Sequence, residues 1–234
     1  MIKSKKLIIF GTEDFADIAY EYFTHDSAYE VVAFTVDAAY LKEEEKFGLP
    51  VVPFEEIEQH FDTNTHEIFV AIVYAQLNRL RAAVCERVRQ RGYKLASYVS
   101  SRAFVWRNVA LGEHCFIFED NTIQPFVRIG SNVIAWSGNH IGHHSKIGDN
   151  CFLTSHVVVS GWCTIGNNTF LGVNTTLANN TRIGEFCWLS HASNVAGEIP
   201  AHSLVKAPAS EASPLNEAAL FRVLSRSSRK RADS

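Results

Sequence analysis

From Val99 to Val195 an aliphatic residue returns every six positions without a slip, beginning Val99, Val105, Leu111 and Ile117 and ending Ile183, Leu189 and Val195. Ala135 is the one anchor that is not Val, Ile or Leu. Gly often follows the anchor (Gly112, Gly130, Gly142, Gly148, Gly166, Gly172, Gly184). A small or β-branched residue often stands four places after it, as at Cys115, Val127, Ser145, Cys151, Thr169 and Cys187. Helices repeat near 3.6 residues and strands at 2, so neither carries a period of six. Short strands joined by tight turns and wound into a parallel β-helix do, each hexad forming one side of a coil. Three hexads make a coil of 18 residues, so position n stacks beneath n+18.

The rest of the composition bounds the chain loosely. At 234 residues with a net charge of −3, it has ample core and no global bias toward nucleic acid or an anionic membrane. No apolar run approaches the roughly 18 residues of a spanning helix. The opening residues, Lys5-Lys6 before Leu7-Ile8-Ile9-Phe10, read as a first strand rather than a signal peptide, because the apolar run is short and Glu13 and Asp14 follow at once. Four of the five cysteines (Cys115, Cys151, Cys163, Cys187) fall on the small-residue position of the hexad. Two coils apart is roughly 10 Å, beyond disulfide reach. They read as core filler in a reducing, cytoplasmic compartment.

Residues 1–98 read as a small α/β domain in which strands and helices alternate, which argues for a parallel sheet with crossover helices. Gly11-Thr12-Glu13-Asp14 turns the first strand into an amphipathic helix, and Asp37 ends the second strand. Residues 99–205 form the β-helix, with the period breaking at Pro200 after Val195. Residues 206–234 hold one further helical stretch (211–225) and a basic tail, read as solvated.

Too few polar positions point into the coils for a buried site, so a site belongs on the outer surface. His140, His143, His144 and His156 cluster there. Coil arithmetic puts Gly161 over His143, Trp162 over His144 and Asn174 over His156. An imidazole beneath a side-chain-free backbone gives a base and a peptide N–H facing one space, the pair that acyl transfer needs.

On these residues, above all His143-His144-Ser145-Lys146-Ile147-Gly148-Asp149 and Phe170-Leu171-Gly172-Val173-Asn174, the chain resembles sugar acetyltransferases of the sialic-acid O-acetyltransferase and bacillosamine N-acetyltransferase type. These are members of the hexapeptide-repeat family. The resemblance covers residues 6 to about 205. It implies a Rossmann-like α/β domain holding a nucleotide-linked amino sugar, a left-handed β-helix binding acetyl-CoA without a metal, and a homotrimer with sites between subunits. It also implies bacterial surface polysaccharide or lipopolysaccharide biosynthesis as the setting.

By the same resemblance His143 is the general base and Gly161 offers its N–H to the thioester carbonyl. The acid that normally follows the base is replaced by His144, which stands with His143 and Gly161 in the catalytic set, and the orienting acid then comes from elsewhere or His143 works without one. Phe152, His156, Val173 and His191 fall on cofactor contacts together with Gly161, and Lys206 is the cation for CoA phosphates. The sugar side carries over to Gly11, Thr12, Glu13, Asp37 and Arg81, although the first turn has one glycine and two acids, which repel a diphosphate.

Other classes fit less well. N-acetylation is favoured over O-acetylation, though both need a base and an acceptor pocket. A zinc hydro-lyase of the gamma carbonic anhydrase type would need a histidine where Gly161 stands. A nicotinamide enzyme would need the absent G-x-G-x-x-G, and a non-catalytic trimeric scaffold would show no turnover.

Overall fold

The computed structural model describes residues 2–208, so the helix and basic tail expected over 211–234 lie outside the described residues. The N-terminal part is built on β1 (Lys5–Phe10), α1 (Asp14–His25), β2 (Tyr29–Val36), β3 (Glu45–Lys46), β4 (Leu49–Pro53), α2 (Ile57–His60), β5 (His66–Val70), α3 (Arg79–Gln90) and β6 (Lys94–Leu95). The sheet order is β3-β4-β2-β1-β5-β6. All pairs are parallel except the β3–β4 hairpin at one edge, which departs from the all-parallel expectation. Strand β1 lies at the centre, covered on both faces, which is why Leu7, Ile8 and Ile9 run as an unbroken apolar stretch at 0% exposure. Ile8 and Phe10 pack toward Val84 and Val88 of α3. Leu7 and Ile9 pack toward Phe15, Ala19 and Phe23 of α1.

The remainder is a left-handed parallel β-helix of three sheets with seven, six and six strands. The first face starts with Tyr98–Val99, the second with Phe104–Val105 and the third with Ala110–Leu111. Strands pair parallel at a spacing of 18 residues, for example His140↔Val158 and Lys146↔Thr164. The anchors and the small-residue positions both point inward and merge into one core, in which Cys115, Cys151, Cys163 and Cys187 are buried and free. After Val195 the coil does not end. Arg182 pairs with Glu198 and Trp188 with Leu204, so one turn, carrying Gly197 at φ 81°, is two residues shorter and the winding resumes to Val205.

The residue before each anchor points outward, and each face uses it differently. On the first face it is Tyr98, Phe116, Ile134, Phe152, Phe170 and Trp188. α1 and the sheet cover this aromatic column, and Phe15 stacks edge-on against Phe116 at 5.6 Å. On the third face it is Ala110, Arg128, Lys146, Thr164, Arg182 and Glu198, all exposed to solvent. The N-terminal sheet and the β-helix therefore share one apolar core along the first face.

Candidate functional site

His143 follows the β-strand His140–Ile141 and sits on the edge where the second face turns into the third. Its backbone N–H donates to Gln124 Oε1 of the preceding coil at 2.9 Å, which fixes the start of the turn. The imidazole is exposed and lies against the α-carbon of Gly161. A β-carbon at 161 would come within 2.8 Å of His143 Cε1 and 2.9 Å of Nε2, closer than any side chain tolerates. Nδ1, 3.3 Å from the same β-carbon position, also meets His144 Nδ1 at 3.1 Å.

His144 is half-buried in a stack that runs along the coil axis. Its ring lies 4.6 Å from Phe126 on one side and 4.1 Å from Trp162 on the other, nearly parallel to both. Phe126, His144 and Trp162 occupy the same turn position in successive coils, all in the left-handed region at φ 67°, 60° and 62°. That region favours glycine and asparagine, and bulky residues there carry strain that something else must offset. The column is legible from the 18-residue spacing of positions 126, 144 and 162, which extends the pairing of Trp162 with His144 by one coil.

The Gly161 N–H donates to Asn179 Oδ1, on the coil that follows, at 2.9 Å. The same device recurs where Ser131 N–H meets Asp149 Oδ1 and Asp149 N–H meets Asn167 Oδ1. The Gly161 N–H is therefore engaged by Asn179. Gln124 and Asn179 are site-lining residues that motif matching passes over, because their role is set by stacking and not by neighbours in sequence.

The other expected cofactor residues divide. His156, Val173, His191 and Lys206 are exposed, and lie along the edge between the first and second faces. His143 is on the opposite side of the second face, so one chain does not bring them together. Phe152 is corrected: at 1% exposure it is a member of the aromatic column on the first face, packed against Tyr74 and Phe170, because the N-terminal sheet covers that face.

Gly11, Thr12 and Glu13 sit at the carboxyl end of β1, the place where doubly wound sheets hold ligands. Gly11 has φ 122°, and a β-carbon there would meet the Ala71 carbonyl oxygen at 3.1 Å. A pocket of about 210 Å³ is lined by Thr12, Glu13, Val36, Lys42, Glu43, Lys46 and Val51. Lys42 reaches Glu13 at 3.5 Å, so a cation stands beside one of the two acids that oppose a diphosphate, and Lys46 reaches Asp17 of α1 at 2.6 Å. Asp37 is half-buried and engaged by the Arg87 guanidinium at 2.5 and 3.0 Å, which commits both its oxygens.

Arg81 is also corrected. Expected at the sugar, it is 0% exposed between α3 and the β-helix. It donates to Asn132 Oδ1, to the Asn132 and Val73 carbonyls and to Asn78 Oδ1, at 2.7–3.1 Å. Burial lowers its pKa to about 10, against nearby cysteines that raise it. Beside it His114 accepts from the Val70 N–H through Nε2 at 2.8 Å and meets Asn132 Oδ1 through Nδ1 at 2.8 Å. Burial holds this ring neutral, with its pKa down to about 3. The network joins the two parts of the chain and leaves no room for substrate.

No group of three or more His, Cys, Asp or Glu suited to a metal ion occurs among the described residues, and no described helix is long and apolar enough to cross a membrane.

The fold defines the class: a left-handed β-helix of hexapeptide repeats docked on an α/β sheet. Residues 126–161 match the bacterial transferase hexapeptide (six repeats) family. Among solved structures, the chain is similar to the acetyltransferase domain of PglB from Neisseria gonorrhoeae FA1090, with 19% identity, TM-score 0.76, and 86% of this chain and 96% of that one covered. It is similar to PerB from Caulobacter crescentus in complex with CoA and GDP-perosamine, with 22% identity, TM-score 0.75 and coverage of 87% and 95%. It is also similar to WeeI from Acinetobacter baumannii AYE, with 16% identity, TM-score 0.72 and coverage of 87% and 97%. These likenesses establish the fold. No protein with a curated description matches the sequence.

Proposed function

We propose that the protein is an acetyl-CoA-dependent acetyltransferase that N-acetylates a nucleotide-linked amino sugar, acting without a metal. The observation that carries this reading is the exposed His143 imidazole lying against the α-carbon of Gly161, on the edge between the second and third faces. Similar folds have been solved with acetyl coenzyme A, and with CoA and GDP-perosamine together.

The chemistry follows from the groups present. His143 Nε2 takes the proton from the sugar amine as its nitrogen attacks the thioester carbonyl carbon. The Gly161 N–H, released from Asn179, meets the oxyanion. Collapse of the tetrahedral intermediate breaks the C–S bond, and the CoA thiolate leaves with the proton His143 returns.

The two halves of such a site lie apart in one chain. The Gly11 turn belongs to the sheet on the first face, whereas His143 is on the edge opposite that face. His156, Val173 and His191 line another edge again. A homotrimer that sets one copy's His143 edge against its neighbour's Val173–His191 edge would complete the site, with Val173, His191 and Lys206 toward acetyl-CoA and the Gly11–Lys42–Lys46 pocket toward the nucleotide diphosphate.

The test is CoA release, read with a thiol reagent, across a panel of nucleotide-linked amino sugars and their hydroxyl counterparts. Turnover with amines supports the reading, and turnover confined to hydroxyl sugars replaces it with O-acetylation. His143→Ala should abolish turnover while leaving acetyl-CoA affinity nearly unchanged. Stoichiometric zinc that tracks activity would favour a hydro-lyase, and neither turnover nor acetyl-CoA binding would favour a scaffold.

A further inference from the structure

The contact between His143 and His144 is specific enough to assign a role to the second ring. Both atoms in it are Nδ1, 3.1 Å apart, and two imidazole nitrogens meet at that distance when one donates and the other accepts. The rings stand nearly perpendicular, at 87°, so the contact is a directed hydrogen bond and not a stack. The stacking is reserved for His144, held between Phe126 and Trp162. His143 has no such clamp, being exposed and flanked by the bare α-carbon of Gly161.

We propose that His144 is the positioning residue for His143: the clamped ring accepts the His143 Nδ1–H through its own Nδ1, which fixes the tautomer whose free Nε2 lone pair lies beside Gly161. The inference rests on the acetyltransferase reading for what Nε2 then does. The contact between the two Nδ1 atoms rests on geometry, and the direction of the hydrogen bond is part of the proposal.

The two aromatic faces fix the plane of the ring, each contact worth about 1 kcal/mol, and the Nδ1–Nδ1 contact selects one of the two flips within that plane. Its Nδ1 is therefore presented at a fixed point, which is what a carboxylate does for an imidazole elsewhere. A neutral acceptor also differs from a carboxylate in a useful way. When His143 takes up a proton at Nε2, the Nδ1–H···Nδ1 bond becomes charge-assisted without a buried counter-ion having been needed beforehand. The strain of three bulky residues at positive φ is also accounted for, since asparagine in this column would fold more easily but would not build the clamp.

The column itself supplies the variants. Phe126 shows that phenylalanine is accommodated at this turn position, and Asn180, at φ 63°, shows that asparagine is. His144→Phe keeps the stack and removes the acceptor. His144→Asn keeps an acceptor oxygen and removes most of the stack. Full-length protein labelled with ¹⁵N-histidine reports the tautomer directly, the His143 signals being identified by their loss in His143→Gln. The wild type should carry its His143 proton on Nδ1, with Nε2 bare. His144→Phe should release His143 into a mixture of tautomers and lower kcat about tenfold or more with little change in KM. His144→Asn should restore much of both.

A wild-type His143 protonated on Nε2 would overturn the proposal, as would an unchanged tautomer and kcat in His144→Phe. So would an Asn variant as impaired as the Phe variant. If no acceptor supports CoA release, the acetyltransferase reading fails, while the nitrogen spectra still decide the contact.

Discussion

The Gly161 N–H donates to Asn179 Oδ1 at 2.9 Å, so the amide of the residue that packs on the His143 ring is engaged by the coil that follows it. Asn179→Ala should leave that N–H free, and acetyl-CoA should bind several-fold tighter by calorimetry, because the thioester oxygen no longer competes with a side chain. Unchanged affinity would show that Gly161 does not meet the acetyl group. Gly161→Ala should act in the opposite sense, since its β-carbon would sit 2.8 Å from His143 Cε1 and displace the ring. Turnover should fall by about 100-fold or more while the thermal midpoint stays close to wild type.

Arg81 is surrounded by acceptors and faces no carboxylate, so its removal leaves several buried oxygens unpaired. Arg81→Ala should cost about 3 kcal/mol or more in urea unfolding. An Arg81→Lys protein that is as stable as the wild type but binds nucleotide sugar poorly would return this residue to the substrate.

His114 gives a pH dependence of known sign. Its folded pKa is pushed by burial from 6.5 to about 3, so within that window the unfolded chain binds a proton that the native chain refuses. The stability it contributes is complete above about 6.5 and is lost as pH falls toward 3. His114→Asn, a residue the neighbouring position Asn132 carries at φ 58°, should flatten the acid limb of stability measured by urea titration between pH 4 and 6. An equally steep limb would assign the proton uptake elsewhere.

A site shared between copies predicts complementation. His143→Ala and Val173→Glu should each be inactive alone, one lacking the base and the other blocking the cofactor edge. Refolded together in equal amounts, they should regain about a quarter of wild-type activity, from the interfaces that draw an intact edge from each partner. No recovery would place both edges' functions within one chain.

Much of the molecule is legible in its sequence. The six-residue period sets the strands, the inward anchors and the buried cysteines, and counting by 18 puts the His143 ring against Gly161. The same count would have revealed Phe126 under His144. Phe152 was open to misreading because a motif position was carried over without asking what the first face presents. Tyr98, Phe116, Ile134, Phe152, Phe170 and Trp188 stand before every third anchor, an outward apolar column that needs a cover. Arg81 gave no such signal: a basic helix reads as solvated, and nothing local tells that one of its arginines meets Asn132, which lies 51 residues on.

What the sequence determined by itself is the winding, because a repeated steric requirement of one small and one aliphatic residue per side admits one way of stacking. The tertiary structure alone decided what each outward residue does. Whether an aromatic is core or surface depends on which face the N-terminal sheet covers. Whether a histidine is held rigid or left exposed depends on the rings above and below it, and those contacts exist only once the coils have closed.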